Sequence, residues 1–600
     1  MKLLTCHSVV PSLFAAALLV APGCDTPEID AGTDTDTEGS SDTNPPTTGT
    51  DTTDDTDGED GSGSTGNDGC VLLEQADVDD DLTLPAGCYT VDFPLFLQGT
   101  SLSMEPGVEV TFAASAGLTL SGGAVLSAVG TAEDKVVLQG ETADPANWSG
   151  LSFLDAPSSD NRLEHTVIDG AASVSVSANS RLVVSASELR GSDEVGLEAD
   201  DGAEVTINGT TFTDHERPLS VGYSSAPGVA SDNTFMNNED QAVLVTGSTL
   251  TDAATWAALA VPWELESRVS LQAALTLDPG VTVMVRQDQS ILVTTDGQLN
   301  ATGAADAPIT FTGVEAEVGY WVGIEFSSNS SNNVLEHAVV EYAGGDDWYG
   351  GGDAAAALFV PAEGRLTLRN TTLRHSAWYG LLASNDAELG DFTAVTFADS
   401  QRAMKIALDL GGMVPADTGF ENIAEPVVYI GFGNNDRMIT AQSWAALSIP
   451  WQATTRFYVE TDWTLEAGLV FWGAQDSEFI IEEGGTLHVA GTADNQVTLG
   501  SPEQVAGFWK GIEVASASAQ NLIENAVIEY AGSSGWYGGA DREAAVYVEG
   551  DGILELDGVT IRESAGNGVL NNGAIGCASM TFESIAKDNY VSNGGTGTCG

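Results

Sequence analysis

Two glycine-rich stretches carry the residue types best suited to holding a ligand. Gly344-Gly-Asp-Asp-Trp-Tyr-Gly-Gly-Gly-Asp353 and Gly532-Ser-Ser-Gly-Trp-Tyr-Gly-Gly-Ala-Asp541 each set a Trp-Tyr pair among glycines, with acidic residues beside it. Such a loop cannot bury two rings in a core of its own, so the rings must cover the side of the fold or face solvent. Trp378-Tyr379 lies 30 residues after Trp348-Tyr349 and could flank the first loop. Rings beside Asp acceptors hold sugars by stacking and hydrogen bonding. Trp348, Tyr349, Trp378, Tyr379, Trp536 and Tyr537 are therefore the candidate ligand-binding residues, for a glycan or a surface protein. The competing reading makes Trp348 and Trp536 latches over an apolar sheet face. Asp346, Asp347, Asp353 and Asp541 are the carboxylates that could take Ca2+; no other cofactor is expected.

Catalytic chemistry finds less support. A lyase needs a base to remove a proton next to a carboxylate. Here Lys135, Lys405, Lys510 and Lys587 are scattered. A hydrolase needs only two carboxylates about 5–10 Å apart, and 88 acidic residues leave that open. His165 and His337 occupy matched positions, but the third match is Asn525. A nucleophile or ligand does not vary this freely, so an outward polar strand position is the expectation there. Ser185, Asn370 and Asp557 read as turn or ladder hydrogen-bonders.

The elements that must position these loops repeat. Trp148-Ser-Gly-Leu-Ser-Phe153, Trp321-Val-Gly-Ile-Glu-Phe326 and Trp509-Lys-Gly-Ile-Glu-Val514 are three copies of one phrase. Each precedes a related stretch: Leu163-Glu-His-Thr-Val-Ile-Asp-Gly170, Leu335-Glu-His-Ala-Val-Val-Glu-Tyr-Ala-Gly344 and Ile523-Glu-Asn-Ala-Val-Ile-Glu-Tyr-Ala-Gly532. Pro106-Gly107 returns as Pro279-Gly280, an offset of 173, and as Ala467-Gly468, a further 188. Three homologous modules follow, over 70–250, 251–438 and 439–600; the Trp-Tyr loop is present in the second and third only. Within a module the apolar residues alternate, as in Leu275-Thr-Leu-Asp-Pro-Gly-Val-Thr-Val-Met-Val285. Period two broken by Gly, Asn and Asp means short strands and turns. A finer recurrence near 20–24 residues, with no helical segment between, predicts a parallel β-solenoid.

The runs from Pro106 to Leu138, Pro279 to Phe311 and Gly468 to Leu499, with the Trp phrases after them, resemble bacterial right-handed parallel β-helix surface proteins, whose fold is similar to that of pectate lyases. The resemblance covers essentially residues 80–600 and implies an all-β, right-handed parallel β-helix. It implies no reaction, because function must be argued from sites.

The N-terminus points to export. Lys2 and the apolar run Leu13-Phe-Ala-Ala-Ala-Leu-Leu-Val20 read as a signal peptide over 1–24. Ala21-Pro-Gly-Cys24 resembles a lipobox, which would make Cys24 the lipidated residue. Residues 25–69 are nearly all Asp, Thr, Gly, Ser, Glu and Pro. That composition buries too little apolar surface to offset ordering entropy, so a disordered acidic tether is expected. A net charge of −69 with 19 Lys plus Arg disfavours nucleic acid as a partner. Cys70 and Cys88, then Cys577 and Cys599, are each separated by about one coil. Neighbouring coils lie about 4.8 Å apart, within disulfide reach, so Cys70–Cys88 and Cys577–Cys599 are the expected bridges. The expectation is a non-enzymatic β-helix protein of the cell surface or outer membrane, otherwise secreted, held to the membrane only by its lipid. It would serve adhesion or glycan and protein contact. The alternatives are a secreted polysaccharide-degrading enzyme and a structural surface-layer component.

Overall fold

The computed structural model describes residues 69–599 except 351–353, 434–435 and 540. All belong to the second of two units, Gly63–Gly600. The signal over 1–24 with Cys24, the tether over 25–69 save Gly69, and Asp353 lie outside the described residues.

The alternating sequence folds as strands of two to six residues. In Val108–Phe112 the residues Val108, Val110 and Phe112 are buried while Glu109 is exposed. Most strands pair in parallel with the strand three places on, so three strands usually make one coil: Gly87–Val91 with Val108–Phe112, and that with Val136–Gly140. Inward residues therefore stack on inward residues: Val110 lies between Tyr89 and Leu138. The result is an all-β fold of stacked parallel sheets, compatible with a parallel β-helix.

Seven sheets result. The first has eight strands, from Val71–Leu72 to Thr234–Met236. The second has 14, from Leu95–Gln98 to Gly419–Glu421, and the third 14, from Thr249–Leu250 to Thr581–Glu583. The fourth has seven, from Asp436–Met438 to Tyr590–Ser592. Three short sheets of six strands close the coils: Leu82–Leu84 to Glu204–Asn208, Ala254–Trp256 to Glu388–Thr393, and Gln442–Trp444 to Ala574–Ala578. The 3-10 turns Ala226–Gly228 and Leu408–Met413 fall between successive short sheets.

Segments matched in sequence do not stack on one sheet. Val108–Phe112, after Pro106-Gly107, lies in the first sheet. Its counterparts Thr282–Val285 and Val470–Trp472 lie in the second and third. Each copy is passed one sheet onward. The Trp-Tyr loops follow suit. The first joins Ala338–Glu341 of the second sheet to Ala356–Val360 of the third, and the other joins Ala526–Glu529 of the third to Ala544–Val548 of the fourth.

The thrice-repeated tryptophan is core. Trp148, Trp321 and Trp509 are buried, and Trp148 stacks on Phe112 with centroids 4.2 Å apart. Each indole Nε1 donates to the carbonyl that ends the strand of the following repeat stretch: Asp169 at 2.9 Å, Glu341 at 2.8 Å and Glu529 at 2.8 Å. A hydrogen bond from a buried indole therefore joins the two halves of each repeat at one corner. Matched Asn161, Asn333 and Asn521 are also buried, and each side-chain oxygen accepts a backbone N–H from the preceding coil, of Leu126, Leu299 and Leu487. His165, His337 and Asn525 correct the strand expectation. They have φ of 47°, 46° and 45° and form single-residue turns between two strands. The left-handed region is open to Asn and His more than to branched residues. Cys70–Cys88 and Cys577–Cys599 are disulfides near the two ends of this unit, with Cα atoms 5.0 and 5.1 Å apart.

Candidate functional site

The outward residues of stacked strands form ladders, and the Trp-Tyr loops lie over two of them. On the third sheet the ladder runs Ser270, Leu292, Glu325, Phe359, Leu382. On the fourth it runs Tyr458, Ile480, Glu513, Tyr547, Leu570, Val591. Around its one glutamate each row is apolar: Leu292, Phe359 and Leu382 on the third sheet, and Ile480, Tyr547 and Leu570 on the fourth. An outward apolar row needs cover, and the tryptophans supply it. Trp348 is buried, stacks on Phe359 at 5.9 Å and donates Nε1 to the Ala356 carbonyl at 3.0 Å. Trp536 is 0% exposed, stacks on Tyr547 at 5.5 Å and donates to the Ala544 carbonyl at 3.2 Å.

The tyrosines turn the other way. Tyr349 and Tyr537 sit at φ 65° and 51°, a conformation that costs a non-glycine residue roughly 1 kcal/mol or more. They are 77% and 65% exposed. Yet each phenol is fixed: Tyr349 donates to Glu325, and Tyr537 donates to Glu513 at 2.6 Å. Both glutamates are buried. They are the Glu of the second and third Trp phrases. The first phrase has Ser152 there, no loop follows it, and Ser152 accepts a hydrogen bond from Ser175 at 3.1 Å. The glutamate, the loop and its tyrosine thus occur together. That covariation between copies is written in the residues themselves and is the signal that sequence reasoning missed.

The remaining candidates divide. Tyr379 is buried in the cluster with Trp348, Phe359 and Leu382. Trp378 is half-buried, and the Arg402 guanidinium lies 4.5 Å from its ring centre and 5.3 Å from that of Tyr379. Arg402 also pairs with Glu425 at 2.8 Å. These two rings therefore hold a cation of the protein itself. Asp346 accepts from its neighbour's backbone N–H at 2.8 Å, and Asp347 from Ala354 N–H at 3.3 Å. Asp541 is exposed. Among the described residues no group of three or more His, Cys, Asp or Glu is placed to hold a metal ion.

Around Tyr537 the fourth sheet carries a charged floor that the sequence reading did not single out. Glu478 is buried and pairs with Lys510 at 3.3 Å and Arg456 at 3.4 Å. The Lys510 ammonium also lies 4.3 Å from the Trp536 ring centre. Tyr458 has two guanidinium groups over its ring, Arg437 at 4.7 Å and Arg456 at 5.7 Å. Burial, aided by the negative charge of Glu549 and Glu478, pushes the Glu513 carboxyl up from 4.5 to about 7, while Tyr537 and Lys510 act against the rise. Burial and then the bond to Glu325 push Tyr349 up to about 12. Burial and Glu513 push Tyr537 up as well. Arg456, Tyr458, Glu478, Lys510, Glu513 and Tyr537 line a cleft of about 420 Å³.

The corresponding place in the second copy is different. Residues 188 earlier than Glu478, Lys510 and Tyr458 are Ser290, Val322 and Ser270; only Arg268 matches Arg456. A titratable carboxyl, a fixed phenol and paired cations in one cleft are suited to recognising a polar ligand. No family model, curated protein or solved structure matches this chain.

Proposed function

We propose that this chain is a non-enzymatic cell-surface protein that contacts glycans through the two Trp-Tyr loops. It is built as three modules of a right-handed parallel β-helix, borne on an acidic tether and anchored by a lipid at Cys24. One observation carries the reading: Tyr349 and Tyr537 accept backbone strain to hold a ring in solvent while the phenol stays tied to a buried glutamate. A ring immobilised before the ligand arrives loses little entropy on binding. The tryptophans beneath serve as latches. The three-module reading draws support from the 3-10 turns between the six-stranded sheets and from the stepwise transfer of matched strands. Titrating the full chain with a panel of neutral and charged oligosaccharides tests the proposal: at least one should bind, and Tyr537→Ala should weaken it more than Tyr537→Phe, which loses the same hydrogen bond but keeps the ring. Absence of binding across the panel overturns it.

A second reading, a polysaccharide-degrading enzyme, is favoured by Glu513. A carboxyl held near pH 7 in a cleft suits a general acid, and the ion-paired Glu478 starts the adjacent strand, opposite Gly511. Release of reducing ends that disappears in Glu513→Gln would favour this reading over the first.

A further inference from the structure

The cleft under Tyr537 does not end at Tyr537. Through Glu482, Ala515 and Glu549 it runs into a second recess of about 640 Å³ that adds Glu483 and Asp551. In the inner part the cations are engaged, since Glu478 pairs with both Lys510 and Arg456. In the outer part the charges stand alone: Glu482, Glu483, Glu549 and Asp551 line the wall, and no described ion pair or side-chain hydrogen bond engages their carboxylates. The excess belongs to the third copy. The residues 188 earlier are Thr294, Thr295, Pro361 and Glu363, so one carboxylate of four has a counterpart. Aromatic rings stand at the inner end, Tyr537 exposed and Tyr458 already attracting two guanidinium groups.

We propose that this groove takes a cationic glycan, a chain of amino sugars whose amines are not acetylated; the inference rests on the glycan-contact reading above and names its substrate class. A sugar ring would stack on Tyr537, and its amines would meet the four carboxylates. Acidic polysaccharides are repelled by the same wall. A basic peptide fits less well. The strands under the groove, Phe457–Val459, Glu478–Ile481, Gly511–Val514 and Ala544–Val548, are each paired on both sides. They leave no free edge for a peptide main chain to join.

The test is calorimetry on the full chain with a glucosamine hexamer, the fully N-acetylated hexamer, and an oligolysine of equal charge, at about pH 5.5, where a sugar amine is protonated. The amine hexamer should bind at least roughly tenfold more tightly than the acetylated one, and the doubly substituted Glu482→Gln, Glu549→Gln chain should lose that preference while melting as before. Raising the salt should weaken the amine hexamer and leave the acetylated one unchanged. Equal affinity for the two hexamers overturns the cationic class and leaves glycan contact standing. Oligolysine binding as tightly as the amine hexamer overturns it in favour of a protein partner. A chain that binds no hexamer but takes another, uncharged glycan also overturns it, and one that takes no glycan at all removes the reading beneath it.

Discussion

The two Trp-Tyr loops follow one plan over different floors. Each buries its tryptophan on an outward apolar row, turns its tyrosine through a left-handed residue and ties the phenol to a buried glutamate. Under Tyr349 the neighbouring strands offer Ser290 and Val322; under Tyr537 they offer Glu478 and Lys510. The shared part is therefore the architecture that holds a ring in place. The part that differs is the charge presented to whatever meets the ring. Because matched strands move one sheet onward per copy, the loops also open at different corners, between the second and third sheets and between the third and fourth. One repeated device is thus displayed in two directions, with two chemistries.

The largest expected effect probes the shared part. Trp536→Ala should cost about 3–5 kcal/mol of local stability, the usual loss for a large buried aromatic, read from urea unfolding or native-state proteolysis. Trp348→Ala should cost less, because its ring lacks the Lys510 ammonium that lies over Trp536. An equal loss at both would show that the charged floor adds nothing to the latch.

A pH series separates the floors next. The Glu513 carboxyl titrates near 7 in the fold, against 4.5 for an unperturbed glutamate. Between these values the unfolded chain releases its proton first. The stability contributed by this group is therefore complete below about 4.5 and is lost as pH rises through about 7. Glu513→Gln should lack that decline, so wild type should fall against it by up to about 3 kcal/mol across the window. A constant difference from acid to neutral pH would contradict the buried-carboxyl assignment.

Smaller effects sharpen the comparison. Tyr537→Phe strands the buried Glu513 and should cost about 1–2 kcal/mol, and Tyr349→Phe should cost less, because Ser327 also donates to Glu325 at 2.6 Å; both are measured by hydrogen exchange in the Glu513 and Glu325 strands. No loss in either would mean that the phenols are held by something other than these bonds. Glu549→Gln, on the partly exposed wall, should change overall stability by less than about 0.5 kcal/mol. It should nevertheless shift the Glu513 titration to lower pH, because Glu549 is one of the charges raising it.

Much of the fold was legible in the residues. Period-two alternation and the recurring Trp phrases specify short stacked strands, since an inward residue in one coil must meet an inward residue in the next. The cysteine spacings match the coil length for the same reason. The sheet-to-sheet transfer of matched copies was not legible, because sequence offsets count residues and not sides of a coil. The loops were found as aromatic insertions, but their floor was missed. Glu325 and Glu513 look like ordinary outward strand residues until the loop that buries them is placed, and Glu478 and Lys510 gain meaning only from lying on adjacent strands. His165 and His337 were misplaced because a single-residue turn between two short strands leaves the alternation around it undisturbed.

The most direct test compares two tyrosines in one binding experiment. Tyr537→Ala and Tyr349→Ala keep both tryptophan latches and should melt close to Tyr537→Phe and Tyr349→Phe, which lose the same phenol hydrogen bonds. With the glycan that binds most tightly, Tyr537→Ala should weaken affinity at least roughly tenfold and Tyr349→Ala should change it far less, because only the Tyr537 ring stands over the charged groove. Undiminished binding in Tyr537→Ala, or a loss of binding that merely follows a loss of melting temperature, would contradict a recognition role for the loop and leave it a structural latch.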